Sequence, residues 1–563
     1  MDRRTLLSTS LAALALAGSA RAAAPAPTIL SSGGPGRYGP ALEAIQAYME
    51  QHQRDNGLPG LVLSLADGDG FAAVLSCGFS EVESHGQTDP SQLYQIGSIS
   101  KSVAAIAAFR LAEAGRFDLD APVKRLLPDL PLPDQPVVTF RHLLHHTAGL
   151  PDDAPFFPRS PDGRLWIANP PGKEWSYSNL GYRMLGLAMS RATGQPVGEI
   201  LEAQVLRPLG MSHSRGAIVA ADRPRYAGGY SPYYTDRPYP QGGRLAPAQW
   251  VDMVEAAGCV ASTAADMSRY LAWLIAASNG KGGPLLSEAS ARRFFEDSAP
   301  APGWAEGARY ANGLAIVKIG DRSLLHHTGG MTNFNSALHV DPKAGVGAFA
   351  STNVGGTGYR PRDITSHACA LLAAARGDSA APQAPPTRLR FSKPELFVGR
   401  YFGSDGRSFE IVPEGAGGLA LKMGGGTDVL EPAGGGQALS HLPGLDRYAL
   451  VAEHAGERVA ALWWGPVRFA AGAAAAEPKI PAEFAARAGT YVNDSPWLGL
   501  MQVMARPDGL YLFGSRKLEA LPDGSWRPVD EGSPSPERIW FDAPIGGRTS
   551  RLSYSGADFV RQD

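Results

Sequence analysis

The pattern that most restricts this chain is a change of texture along its length. Up to residue 376, strand-like runs alternate with stretches of helical periodicity. Beyond it only short alternating runs remain, such as Ser408-Phe409-Glu410-Ile411-Val412 and Arg458-Val459-Ala460-Ala461-Leu462, with turn residues between them. This late region also repeats itself. Gly399-Arg400-Tyr401 returns as Gly489-Thr490-Tyr491, and Gly456, Leu462 and Phe469 return as Gly546, Leu552 and Phe559, always 90 residues on. A register that holds across a whole segment reads as two copies of one β unit. Each copy is long enough for a small antiparallel barrel of about eight strands.

The earlier region reads as an α+β domain. Strands are expected over 61–65 and 72–75, around the turn Asp67-Gly68-Asp69-Gly70, and again over 313–319 and 345–350. Helices are expected over 98–114, 182–193 and 263–277, the last opened by a capping box of Thr263 and Asp266. The organisation that follows is a targeting segment at 1–22, an α+β domain at 30–376, a linker at 377–392, and β-barrels at 393–474 and 479–563.

The targeting segment carries Arg3-Arg4 ahead of a short apolar run and ends in Ala20-Arg21-Ala22. That order reads as a bacterial twin-arginine signal, and the expected location is periplasmic or secreted. A general secretory signal is the alternative. The apolar run is too short to span a bilayer, so no integral membrane span is expected. With 563 residues, a net charge of -2 and no basic run, the chain has no electrostatic footprint for nucleic acid. Cys77, Cys259 and Cys369 are an odd set without a C-x-x-C, and read as buried, inert thiols.

Chemistry concentrates in three places. Ser98-Ile99-Ser100-Lys101 is an S-x-x-K at the start of a predicted helix, and three residues bring Lys101 back beside the Ser98 hydroxyl. Serine needs a base within hydrogen-bond reach, and lysine can be one if burial disfavours its ammonium form. Tyr177-Ser178-Asn179 supplies a phenol able to pass a proton and an amide able to hold a substrate. His327-Thr328-Gly329-Gly330 reads as a glycine-rich strand edge, where the Gly330 amide can complete an oxyanion hole with that of Ser98. Each pattern alone is weak: S-x-x-K recurs at Ser278-Lys281, and Tyr-x-Asn recurs at Tyr310 and Tyr491.

Their joint order is more specific. Gly97 to Lys101, Pro171-Gly172 leading to Tyr177-Ser178-Asn179-Leu180-Gly181-Tyr182, and His326 to Gly330 together resemble the family of class C β-lactamases, low-molecular-weight penicillin-binding proteins and their esterase and D-aminopeptidase relatives. Leu143-Leu144-His145-His146-Thr147-Ala148-Gly149-Leu150-Pro151 and residues 258–266 resemble it too. The resemblance implies an antiparallel sheet flanked by helices, a helical subdomain beside it, and a site in the cleft between them. It implies that Ser98 forms an acyl-enzyme, that Lys101 and Tyr177 move the protons, and that Asn179, His327, Thr328, Gly329 and Gly330 line the substrate and oxyanion side.

One residue departs from the β-lactamase pattern. Lysine is usual in the third motif, whereas His327 is mostly neutral near pH 7, which weakens the expectation of a dedicated β-lactamase. Two barrels after such a domain are similar to the layout of bacterial D-aminopeptidases, a group in which the barrels close over the cleft and limit substrates to small ones with a free amine. The expected function is therefore an exported serine hydrolase, a peptidase or amidase acting on a small molecule or short peptide without cofactor or metal. An esterase, a weak β-lactamase and a non-catalytic penicillin-binding sensor are the alternatives. His142, His145 and His146 lack a completing acid or Cys and read as packing residues. The tyrosines of the loop 226–239 read equally as pocket wall or as surface packing.

Overall fold

The computed structural model describes residues 27–562 apart from 33, 378, 416, 434–435, 475 and 530–533. The targeting segment expected at 1–22 lies outside the described residues. The first domain is built on an antiparallel sheet, in which Ala72–Glu81, Gly60–Asp67, Val346–Thr352, Asn335–Asp341, Arg322–Gly330 and Ala315–Ile319 lie side by side. Strands from the two ends of the domain therefore meet at its middle, with Leu61 opposite Thr352 and Asp67 opposite Val346. Both strands are buried at every position, so they carry near-continuous apolar runs rather than alternation.

Burial on both sides requires helices on both faces. Gly39–Asp55 and Arg362–Arg376 cover one face with Leu42, Ile45, Met49, Ile364, Ala368 and Leu372, spaced for one helical stripe each. Ala264–Ser278 covers the other, and its core is continuous with a helical subdomain containing Ser100–Glu113 and Asn179–Thr193. Ser100–Glu113 is buried all round from Ser100 to Phe109, which makes it the central helix of that subdomain. Among the described residues no helix is long and apolar enough to cross a membrane.

The α+β expectation holds, with shifts at element ends. The first two strands are longer than expected, because their flanking small and polar residues continue the ladder, whereas the one expected over 313–319 starts only at Ala315. The second helix starts at Asn179 rather than 182, since the Ser178 side chain caps it by accepting the Gly181 N–H at 3.1 Å. At the third, Thr263 accepts the Asp266 N–H at 3.2 Å, but Asp266 does not return the bond. Its carboxylate instead accepts from the His213 and Ser214 amides, so only half of the expected capping box forms.

After residues 379–393, which hold no regular element, come two closed eight-stranded barrels at Gly399–Ala471 and Gly489–Arg561. The repeat has a structural cause. Tyr401 and Tyr491 each donate to a carbonyl four residues back, Phe397 at 2.9 Å and Arg487 at 2.7 Å. Leu462 and Phe469 fill one barrel as Leu552 and Phe559 fill the other. Both barrels dock on the first domain: Asp446 pairs with Arg237 at 2.7 Å, and Asp542 and Asp558 pair with Arg159 at 2.9 and 2.5 Å.

Candidate active site

Ser98 lies in a single 3-10 turn, Gly97–Ile99, that runs straight into the helix Ser100–Glu113. Gly97 holds the turn in the left-handed region at φ 53°, and a Cβ there would fall 2.7 Å from the Gly330 nitrogen. Only glycine allows the turn to abut the strand edge so closely. One turn on, Lys101 is fully buried, with Nζ 3.1 Å from Ser98 Oγ, 2.6 Å from Asn179 Oδ1 and 2.9 Å from the Ala257 carbonyl. Two of these partners are carbonyl oxygens that only accept. A neutral amine has two N–H bonds and one lone pair, so the two carbonyls take the N–H bonds and the lone pair faces Ser98. Burial pushes the Lys101 ammonium down to about 7, although the carboxylates of Asp152 and Asp153 pull it upward.

Tyr177 and Asn179 flank the capping residue. Ser178 is pinned three ways, by the cap, by donation to the Pro151 carbonyl at 2.7 Å, and by its N–H to His146 Nδ1 at 3.0 Å. That anchor directs Tyr177 to one side of Lys101 and Asn179 to the other. The Tyr177 ring centre is 4.8 Å from Lys101 Nζ, and Tyr177 lines the same cleft as Ser98. Burial holds that phenol well above its usual 10, and the Asp152 carboxylate adds to the shift.

The third segment ends the strand Arg322–Gly330. His327 is buried and its Nδ1 lies 2.6 Å from the Thr328 carbonyl, so that nitrogen carries the proton. Nε2 is then an acceptor, satisfied by the Tyr310 hydroxyl at 2.9 Å. Burial, reinforced by Lys101, holds this imidazole well below 6.5, hence neutral. Gly329 is confined, because a Cβ would meet the Ile96 carbonyl oxygen at 1.9 Å, and Ser336 Oγ ties strand to turn by donating to that same carbonyl at 2.8 Å.

The structure brings every expected site residue together. Ser98, Tyr177, Asn179, His327, Thr328 and Gly330 line one cleft of about 1590 Å³, with Lys101 and Gly329 buried directly behind them. The cleft is larger than an ordinary small-ligand pocket. The second barrel supplies part of its wall through residues 492–500, while no described residue of the first barrel lines it.

Sequence reasoning missed Arg360, Asp152 and Tyr310. Arg360 opens into the cleft, donates to the Gly329 carbonyl at 3.2 Å, and has no carboxylate partner among the described residues. It restores near Gly330 the cation that His327 cannot provide, but it stands in a glycine-rich loop that no spacing marks. Asp152 accepts the Asn179 N–H at 2.9 Å, and burial with neighbouring acids holds its carboxyl well above the usual range. Tyr310, a Tyr-x-Asn repeat that looked incidental, is the partner of His327, and Asn493 of the third repeat lines the cleft.

The histidine cluster has local partners. His142 Nδ1 accepts the Thr139 N–H at 3.2 Å, His145 lies 3.8 Å from Asp297, and His146 packs 4.4 Å from the Tyr177 ring. Of the loop tyrosines, Tyr234 and Tyr239 line the cleft, whereas Tyr230 packs away from it against Glu83. The three cysteines are buried and unpaired, with thiols pushed up to about 12 by burial.

The β-lactamase family model matches residues 44–372, more than half of the chain. The chain is 30% identical over 223 residues to "Esterase EstB" of Burkholderia gladioli, covering 35% of this chain and 55% of that protein. It is 28% identical over 243 residues to "Penicillin-binding protein 4*" of Bacillus subtilis, covering 39% and 52%. The chain thus spans about half the length of these curated relatives. The solved octameric penicillin-binding protein homologue from Pyrococcus abyssi superimposes at a TM-score of 0.54 and 23% identity, over 76% of this chain and 99% of that one, a likeness of fold.

Proposed function

From the premise that this chain belongs to the β-lactamase family of serine hydrolases, we propose that it cleaves amide bonds of short peptides through an acyl-enzyme on Ser98. The observation that carries this reading is the Lys101 amine, held between two carbonyls with its remaining position toward Ser98 Oγ. In this mechanism the lone pair takes the hydroxyl proton while Oγ attacks the substrate carbonyl. The oxyanion is met by the backbone amides of Ser98 and Gly330. Collapse expels the amine, which takes a proton from the Tyr177 phenol while the Lys101 ammonium returns its own proton to that phenol oxygen. Water then hydrolyses the ester, giving a proton to the free Lys101 amine and restoring the Ser98 hydroxyl. Asn179 and Thr328 align the substrate backbone, and Arg360 meets a carboxylate on substrates that bear one.

An amine cannot leave unprotonated, whereas an alkoxide needs less help. A phenol that stays protonated at neutral pH therefore supports amide cleavage. Ester hydrolysis is the second reading, favoured by the likeness to an esterase. The export signal at 1–22 supports action outside the cytoplasm.

Fluorophosphonate labelling and a panel of p-nitrophenyl esters, D- and L-aminoacyl anilides and nitrocefin test the proposal. Ser98→Ala is expected to abolish labelling and to lower every turnover by about 10³-fold or more. Unchanged hydrolysis by that variant would remove the mechanism. Hydrolysis of esters alone would select the second reading, and stable acylation by a fluorescent penicillin with no turnover would mark a sensor.

A further inference from the structure

The second barrel touches the first domain through a buried carboxylate that the mechanism above does not use. Between the strands Trp526–Pro528 and Ile539–Phe541, residues 534–538 lie against the stretch 152–169. The Pro536 carbonyl accepts from Trp166 Nε1 at 2.7 Å and the Pro534 carbonyl from Asn169 Nδ2 at 3.3 Å. Glu537 is only 6% exposed; one carboxylate oxygen accepts the Ser555 hydroxyl, and the other accepts the Asp152 N–H at 2.8 Å. Burying a carboxylate at an interface is costly, and docking alone does not require one.

The bond to Asp152 is the first of four in series. Asp152 Oδ1 accepts the Asn179 N–H at 2.9 Å, Asn179 Oδ1 accepts from Lys101 at 2.6 Å, and Lys101 Nζ is 3.1 Å from Ser98 Oγ. We propose that Glu537 is a positioning residue for the hydrolase, through which the second barrel holds the Asp152–Asn179–Lys101 line and so the base at the nucleophile. This inference rests on the reading of Ser98 as nucleophile.

Charge gives the same line a second effect. Glu537 faces Asp152, Asp153, Arg516 and Arg538. Asp152 faces Asp153, Glu537 and Lys101. Lys101 faces Asp152, Asp153 and Cys259, the neutral imidazoles of His146 and His327, and the rings of Tyr177 and Tyr182. The negative charge of Glu537 disfavours ionisation of Asp152 and so weakens the upward pull of that carboxylate on the Lys101 ammonium. Removing that charge lets Asp152 ionise more readily, which raises Lys101.

The test compares Glu537→Gln, Glu537→Ala and Asp542→Asn in the full chain, with kcat and KM on one ester substrate over pH 5.5–9 and a thermal melt for each. Glu537→Gln keeps an acceptor for the Asp152 N–H and is expected to hold kcat on the pH plateau, while the acid limb of kcat/KM moves up by about half a unit or more. Glu537→Ala loses acceptor and charge, and its kcat is expected to fall about 10- to 100-fold with KM changed less than about twofold. Asp542→Asn breaks a docking ion pair outside the line and should leave both constants unchanged. Wild-type kinetics in Glu537→Ala, an unmoved acid limb in Glu537→Gln, or an equal loss in Asp542→Asn would each overturn the proposal. Should Glu537→Ala not fold, the limb in Glu537→Gln decides. An active Ser98→Ala in the same assay would instead fell the underlying reading, whereas an inactive one beside an unaffected Glu537→Ala fells only the relay.

Discussion

Lys101 shows how much one side chain depends on its surroundings. In water its ammonium would persist past pH 10, and it could only donate to Ser98. Full burial in a helix enclosed on every side draws it to about 7, where a large fraction is free amine at neutral pH. The base is the deprotonated form, so the active fraction grows as pH rises through that value. We therefore expect kcat/KM to climb through a single limb near pH 7 and then hold level, since the Tyr177 phenol is pushed well above 10 and His327 is already neutral. A pH–rate profile on an activated ester checks this, and a limb near pH 5 would point to a carboxylate base.

Elements, not single residues, set the distances in the site. The Ser98 turn and the strand ending at Gly330 approach closely because Gly97 and Gly329 lack side chains. In Gly329→Ala the new methyl would face the Ile96 carbonyl oxygen at 1.9 Å and Ser336 Oγ at 2.3 Å, and both belong to ordered neighbours. The strand must then move off the turn, at a cost of about 1–3 kcal/mol. Activity should suffer more than folding, with kcat down about 100-fold for a displacement near 1 Å. Paired thermal melts and kinetics separate the two effects, and a variant with wild-type kcat would show that the strand edge tolerates the shift.

At the scale of the whole molecule, the second barrel is part of the cleft wall. Its half-buried ion pairs with Arg159 remain in reach of solvent and contribute little each, roughly 0.2–1 kcal/mol. The apolar part of the joint is Trp166, stacked edge to face on Trp540 at 5.0 Å and bonded to the Pro536 carbonyl. Trp166→Ala is expected to weaken docking by about 1–3 kcal/mol, less than for a fully buried tryptophan. Hydrogen exchange should then speed up over 534–538 while the barrel's own strands stay protected. Unchanged exchange there would place the docking energy elsewhere.

The α+β domain and the paired barrels were readable from the chain itself, and the eight residues that meet at the cleft were picked out by three ordered motifs and the family they resemble. Helical and strand periodicities and a repeat held in register are local or regularly spaced signals, whereas the contact that requires Gly97 and Gly329 exists only in the folded chain. Lys101 follows Ser98 by one helical turn wherever that helix lies, so their adjacency needs no tertiary information. The start of the Asn179 helix was missed because the Ser178 cap shows only once its partner amide is in place. Arg360, Asp152 and Glu537 belong to no motif, Tyr310 stands in a Tyr-x-Asn that nothing in the sequence tells from chance, and each gains its role from another chain segment that folding brings beside it. Which charges meet in the cleft, and how far burial moves them, was decided only by tertiary packing, because desolvation and Coulomb forces act through space rather than along the backbone.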